Sequence, residues 1–247
     1  PHQGEILDFF GGLLDLQAKQ IRVLHANSFI EDPTRIYRAV RFAVRLEFQI
    51  DAQTEGYIRH AIASGIYTRS HSENSKAPAL QTRLKMELKY ILQAAYWKPA
   101  LTLLSDLGAL QCIHPTLEMN RSLWWQMRLA DRCLRRFDRA SILEHWQMLL
   151  EVLIANLLPE YRGKVAERLQ LPLESIERLQ HLATIQTTVT TALGRCDRPS
   201  QIVQLLAPYD LATLLLVTIQ SPRSVRRSIW QYLTNWSRVK PPLDGNA

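Results

Sequence analysis

Glu31-Asp32-Pro33-Thr34-Arg35-Ile36-Tyr37-Arg38-Ala39-Val40-Arg41-Phe42 has the pattern of a helix start followed by two unlike faces. Asp32 suits an N-cap, and Pro33 suits the first helical position, where a missing N–H is no loss. At about 100° per residue, Ile36, Val40 and Ala43 fall on one side while Arg35, Arg38, Arg41 and Arg45 gather on the other. One face belongs in a core; the other is a guanidinium stripe that begins beside two carboxylates. Forked donors next to an acceptor can match the hydrogen-bonding edge of a base, and further arginines can hold phosphate oxygens. The same pattern also fits a capped helix with a solvated basic face.

Helical periodicity continues on the C-terminal side. Glu47–Ile50 reads as a short extended connection, and Asp51 as the cap of a helix over Ala52–Ala63. Ser64–Pro78 is polar and reads as a loop. A helix over Ala79–Ala95 follows, with Leu84, Leu88, Ile91 and Leu92 as its apolar stripe and Arg83 and Glu87 at the spacing of a surface ion pair. Further helices are expected at Arg121–Phe137, Ala140–Leu158, Glu160–Gln170, Leu173–Leu193, Pro199–Leu206, Leu211–Ile219 and Ser224–Ser237, punctuated by prolines. On the N-terminal side, Gly11-Gly12 marks a tight turn and Gln20–Leu24 alternates like a strand. The expected fold is all-α, an irregular set of helices with a short strand and turn near the N-terminus.

With 47% hydrophobic and 21% charged residues, the chain is of globular composition and long enough to bury a sizeable core. Its apolar runs are too short to span a bilayer and no signal peptide precedes the first motif, so a cytoplasmic protein without a membrane partner is expected. The three cysteines, Cys112, Cys133 and Cys196, are too dispersed for a disulfide framework or a zinc site, and no metal ligand set is expected here. His114 reads as a turn or core histidine. A formal net charge of +7 favours a polyanionic partner. Basic residues cluster at Arg128, Arg132, Arg135, Arg136 and Arg139, and again at Arg223, Arg226, Arg227, Arg238 and Lys240, the latter interleaved with Trp230, Tyr232 and Trp236. Both clusters suit RNA phosphates or a solvated helix face.

Glu31-Asp32-x-x-Arg35, continued by Arg38, Arg41 and Phe42, resembles the EDxxR motif of the class II tRNA nucleotidyltransferase and bacterial poly(A) polymerase family. Asp8, Gly11, Gly12 and Asp15 resemble the same family's hinge between catalytic head and neck, and Leu46–Asp51 resembles it too, with Glu47 where the family usually has Gly. The resemblance implies that Asp32 and Arg35 read the base of CTP or ATP, that Arg38 and Arg41 hold the nucleotide, and that Glu31 supports them. It further implies residues 1–27 as the end of the head and the hinge, 28–118 as a helical neck, and 119–247 as a helical body and truncated tail that binds tRNA, with Arg223, Arg226, Arg227, Arg238 and Lys240 as RNA contacts. The chain contains no Asp-x-Asp or Glu-x-Asp pair, so the resemblance places the Mg²⁺ ligands and the catalytic residues in a head outside it. It is therefore expected to be a piece of a longer enzyme, inactive alone, that adds C and/or A to an RNA 3′ end. A non-catalytic helical RNA-binding module is the competing expectation, and an interaction scaffold a third; the oligomeric state is open.

Overall fold

A computed structural model describes residue 4, residues 6–65 and residues 78–237 of the chain. Its contacts divide it into two compact units, Pro1–Met119 and Asn120–Ala247.

The first unit is built around the helix read first. Helices α1 (Gly12–Gln17) and α2 (Ser28–Glu31) precede α3 (Thr34–Leu46), and α4 (Ala52–Ala63), α5 (Pro78–Leu92) and α6 (Trp97–Asp106) follow it. Helix α3 starts one residue later than a Pro33 start, yet Asp32 still caps it: its Oδ1 accepts from the Thr34 N–H at 2.9 Å and the Thr34 hydroxyl at 2.6 Å. Ile36, Tyr37, Val40 and Ala43 are sealed against α5 and α6, where Leu84, Leu88, Ile91, Leu101 and Leu104 complete the core. At about 25 cal/mol per Å² of apolar surface, each of the buried Ile, Val and Leu side chains contributes roughly 1.5–3 kcal/mol. The Tyr37 hydroxyl, deep in this core, donates to the Ala109 carbonyl at 2.7 Å.

The expected strand at Gln20–Leu24 is only two residues long. Strand β1 (Gln20–Ile21) pairs in parallel with β2 (Gln49–Ile50), and the ladder ends because the Val23 N–H donates instead to Thr54 Oγ1 at 3.0 Å. Asp51 caps α4 as expected, accepting from the Thr54 N–H at 3.0 Å. Glu47 closes α3 in the left-handed conformation (φ 55°), with the Phe48 N–H reaching the Ala43 carbonyl at 2.8 Å.

The second unit comprises α7 (Arg121–Phe137), α8 (His145–Ala155), α9 (Pro159–Arg168), α10 (Leu173–Leu193), α11 (Pro199–Leu206), α12 (Leu211–Gln220) and α13 (Arg223–Gln231). Helix α8 and most of α12 are buried on all sides, and the other helices pack around them. The helix expected to begin at Ala140 begins at His145 instead. Buried Asp138 takes the Ile142 and Leu143 N–H groups at 2.9 and 3.0 Å, and Ser141 adopts φ 52°, so residues 138–144 form a turn. The expected helix to Ser237 breaks at Tyr232 into a single wide turn, closed by the Ser237 N–H on the Tyr232 carbonyl at 2.9 Å. Glu151, fully buried, accepts from Arg178 Nη1 at 2.9 and 2.8 Å and from Ser175 Oγ at 2.6 Å. Among the described residues no single helix is long and apolar enough to cross a membrane, and the pair α11 and α12 passes that test only with a 113° bend between its members.

Candidate functional site

The polar face of α3 is not uniform. Arg35, 46% exposed at its side chain, donates through Nη1 to the Ser28 carbonyl at 3.2 Å and to Glu31 Oε2 at 3.3 Å. Glu31 thus steadies a guanidinium that remains about half exposed. Arg38 is 60% exposed and lies 4.0 Å from Glu87 Oε1, stacked over the Phe42 ring at 5.1 Å. Arg41 behaves differently. Only 12% exposed, it grips Glu87 with two hydrogen bonds, Nε to Oε2 at 2.7 Å and Nη2 to Oε1 at 3.3 Å, and lies over Phe42 and Tyr90. The bond to Glu87 raises the Arg41 pKa above its ordinary value, so this guanidinium is permanently charged.

Asp32, 15% exposed, spends Oδ1 on Thr34 and directs Oδ2 to Arg83 Nη2 at 3.4 Å. Arg83 and Glu87 therefore do not pair along α5, as their spacing suggested; each reaches across to α3, the arginine to Asp32 and the glutamate to Arg38 and Arg41. These cross-helix partners lay outside what a single-helix rule can read. The assembled face offers a fixed carboxylate, an exposed guanidinium three residues on, a second one turn further, and a third locked behind them.

The residues resembling a hinge also come together. Asp8 accepts from the Gly12 and Leu13 N–H groups at 2.8 Å each and from Phe10 at 3.3 Å, and these bonds, Leu13 first, hold its carboxyl below the usual range. Gly11 sits at φ 75°, and Asp15 pairs with Arg22 at 3.0 Å, whose Nη2 also donates to the Phe10 carbonyl at 2.8 Å. Gly12 opens α1. A side chain at Gly11 would be both conformationally strained and within 3.3 Å of Arg22 Nη2.

In the second unit Arg223 and Arg227 are exposed and, with Ser224, Arg226 and Trp230, line an open depression of about 540 Å³. Arg226 is stacked on Trp125 at 4.3 Å and donates to the Ser221 carbonyl at 3.1 Å. Arg128, Arg132, Arg135, Arg136 and Arg139 are all exposed, with Arg135 paired to Asp131 at 3.0 Å. Arg238 and Lys240 lie outside the described residues. His114 sits in a turn, its Nδ1 2.9 Å from Thr116 Oγ1. Burial pushes the Cys112 thiol up to about 12 and the Cys133 thiol up to about 11, so neither is a thiolate at neutral pH.

The first unit, helical apart from the two-residue ladder of β1 and β2, thus carries a hydrogen-bonded acceptor at the head of a helix lined with forked donors. The chain is 30% identical over 245 residues to the A-adding tRNA nucleotidyltransferase of Aquifex aeolicus and 33% identical over 253 residues to that of Geobacter sulfurreducens, in each case covering 98% of this chain and 28% of the relative. It therefore spans under a third of the length of these relatives. A solved structure of a tRNA-processing enzyme with CTP superimposes with a TM-score of 0.74 at 28% identity, covering 98% of this chain and 64% of the other. No protein-family model matches the chain. Over nearly its whole length the chain is thus similar to one part of tRNA nucleotidyltransferases.

Proposed function

We propose that the protein containing this chain adds C and/or A to the 3′ end of tRNA from CTP and ATP, and that this chain supplies base selection and RNA contact. Residues 1–27 would then be the end of the catalytic part and its hinge, 28–118 the selecting neck, and 119–247 a body and tail that hold RNA. The observation that carries this reading is the head of α3, where Asp32, with Oδ1 held by Thr34 and Oδ2 within 3.4 Å of Arg83 Nη2, lies three residues before the half-exposed Arg35. Cytosine and adenine both offer an amino donor next to a ring-nitrogen acceptor, which a carboxylate oxygen and a guanidinium N–H complement in that order. Guanine and uracil place a carbonyl where the amino group would be. Such a mismatch leaves polar groups unpaired at about 1–3 kcal/mol each, enough for selection. Arg38 is open for a phosphate, and Arg41, held by Glu87, supports it with a fixed positive charge.

Mg²⁺ is implied by the family. Among the described residues no group of three His, Cys, Asp or Glu side chains could hold a metal ion, so the residues here do not fit it and no step through it is assigned to this chain. Arg223, Arg226 and Arg227 beside Trp125 and Trp230 support an RNA surface, where guanidinium groups meet phosphates and rings meet bases.

The engagement of Arg41 by Glu87 favours one other reading, a non-catalytic RNA-binding module whose α3 is a basic surface helix. Equilibrium binding of CTP, ATP, GTP and UTP to the whole protein separates the two. Base selection requires CTP or ATP to be preferred and Asp32→Ser, which keeps a capping side chain, to abolish the preference. Equal binding of all four, unchanged by Asp32→Ser, would leave the RNA-binding module.

A further inference from the structure

We propose that the second unit carries a site of its own for a nucleoside monophosphate, supplied either as an unstacked nucleotide of an RNA strand or as a free mononucleotide. The site is the cavity formed by the end of α7, the start of α12 and the wide turn that follows α13. It holds about 450 Å³, within the ~300–1,000 Å³ of small-molecule sites, and all its lining residues belong to the second unit. It goes beyond base selection at α3 and draws on none of the residues there.

Charge, rings and hydroxyls meet in this cavity. Arg136 and Arg139 line it, and among the described residues neither pairs with a carboxylate. The nearby acids are engaged elsewhere: Asp131 with Arg135, buried Asp138 with the Ile142 and Leu143 N–H groups and His145, and Asp210 with the Thr213 N–H and Arg178. A phosphate would meet both guanidinium groups through charge-assisted bonds. Phe137, Tyr209 and Tyr232 supply rings, and base–aromatic stacking accepts any base. Phe137 is already held edge to face by Trp230 at 4.7 Å, so a ligand need not order it.

Cations at the end of α7 would by themselves be accounted for by the helix dipole. Tyr232 separates a built site from that reading. It is 7% exposed and lines the cavity, and its hydroxyl makes no hydrogen bond among the described residues. A tyrosine sunk this deep usually finds a partner for its O–H; here that partner is left to the occupant of the cavity. The wide turn Tyr232–Trp236, a departure from α-helical geometry, is what brings Tyr232 and the exposed Thr234 to the same cavity.

The test is photocrosslinking of the whole protein with two probes, thiouridine monophosphate and a short single-stranded RNA carrying one thiouridine, followed by mass spectrometry of the crosslinked peptides. The wild type should give adducts on the peptides that carry Phe137, Tyr209 or Tyr232. Adducts from the monophosphate identify a free nucleotide as an occupant; adducts from the RNA alone identify an unstacked nucleotide of a strand. In the double variant Arg136→Gln, Arg139→Gln these adducts should fall at least about tenfold, the scale of lost charge-assisted contacts, while adducts elsewhere on the protein persist. Both arginines are exposed, so the melting curve of that variant should match the wild type. Tyr232→Phe, which keeps the ring, should lower the yield about fivefold. No adduct on these peptides with either probe, or an unchanged yield in the double variant, would overturn the site and leave base selection at Asp32 untouched.

Discussion

Replacing Glu87 by Gln keeps the shape of the side chain and removes the charge that holds Arg41. Both partners are 12% exposed and share two hydrogen bonds, so the pair is closer to a buried ion pair than to a surface one. Hydrogen bonds to charged groups contribute about 1.5–3 kcal/mol each, and stripping one partner from a fully buried pair costs about 3–5 kcal/mol. Glutamine retains one acceptor and Arg41 keeps some solvent, so the expected cost is about 2 kcal/mol. Amide hydrogen exchange at Tyr37, Ala39, Val40 and Ala43 reads this locally: 2 kcal/mol corresponds to roughly 30-fold less protection. Arg41→Gln should cost a similar amount, and the double variant should cost less than the sum, because the two changes remove the same contact. CTP and ATP binding should weaken as well, since Arg38 and Arg41 both lose the charged partner that positions them. Loss of protection below about twofold would show that the pair behaves as a solvated one and that α3 is held by its apolar face alone.

Two stability predictions follow from single residues. Glu47→Gly should raise the thermal midpoint by a few degrees, because a non-glycine residue in the left-handed region costs about 1 kcal/mol or more, while Glu47→Ala should not. Glu151→Gln should destabilise by about 3–5 kcal/mol in urea unfolding by stranding the Arg178 charge, and Glu151→Leu combined with Arg178→Met should recover most of it.

The amphipathic character of α3 was legible because a 3.6-residue period sorts Ile36, Val40 and Ala43 from the arginines without knowledge of any neighbour. The caps at Asp32 and Asp51 were legible for the same reason, since an N-cap acts within three residues of itself. Other features depend on partners distant in sequence. Arg83 and Glu87 have the spacing of a local ion pair, and only the packing of α5 on α3 shows that Asp32 and Arg41 outbid each of them for the other. The strand at Gln20–Leu24 was overestimated because Thr54, 31 residues on, takes the Val23 N–H. Helix α8 begins late because Asp138 folds the chain back on itself, an arrangement that periodicity does not register. At the candidate site, residue types and spacing disclosed Asp32, Arg35 and Arg38 as one set, but not that Asp32 is largely covered or that Arg41 is turned toward Glu87.

The most direct test of base selection is a four-nucleotide extension assay with the whole protein and a tRNA lacking its terminal residues, comparing wild type with Asp32→Ser. The expected result is addition of C or A alone by the wild type and relaxed addition, GTP and UTP included, by the variant. Addition by both proteins with the same nucleotide preference would contradict it.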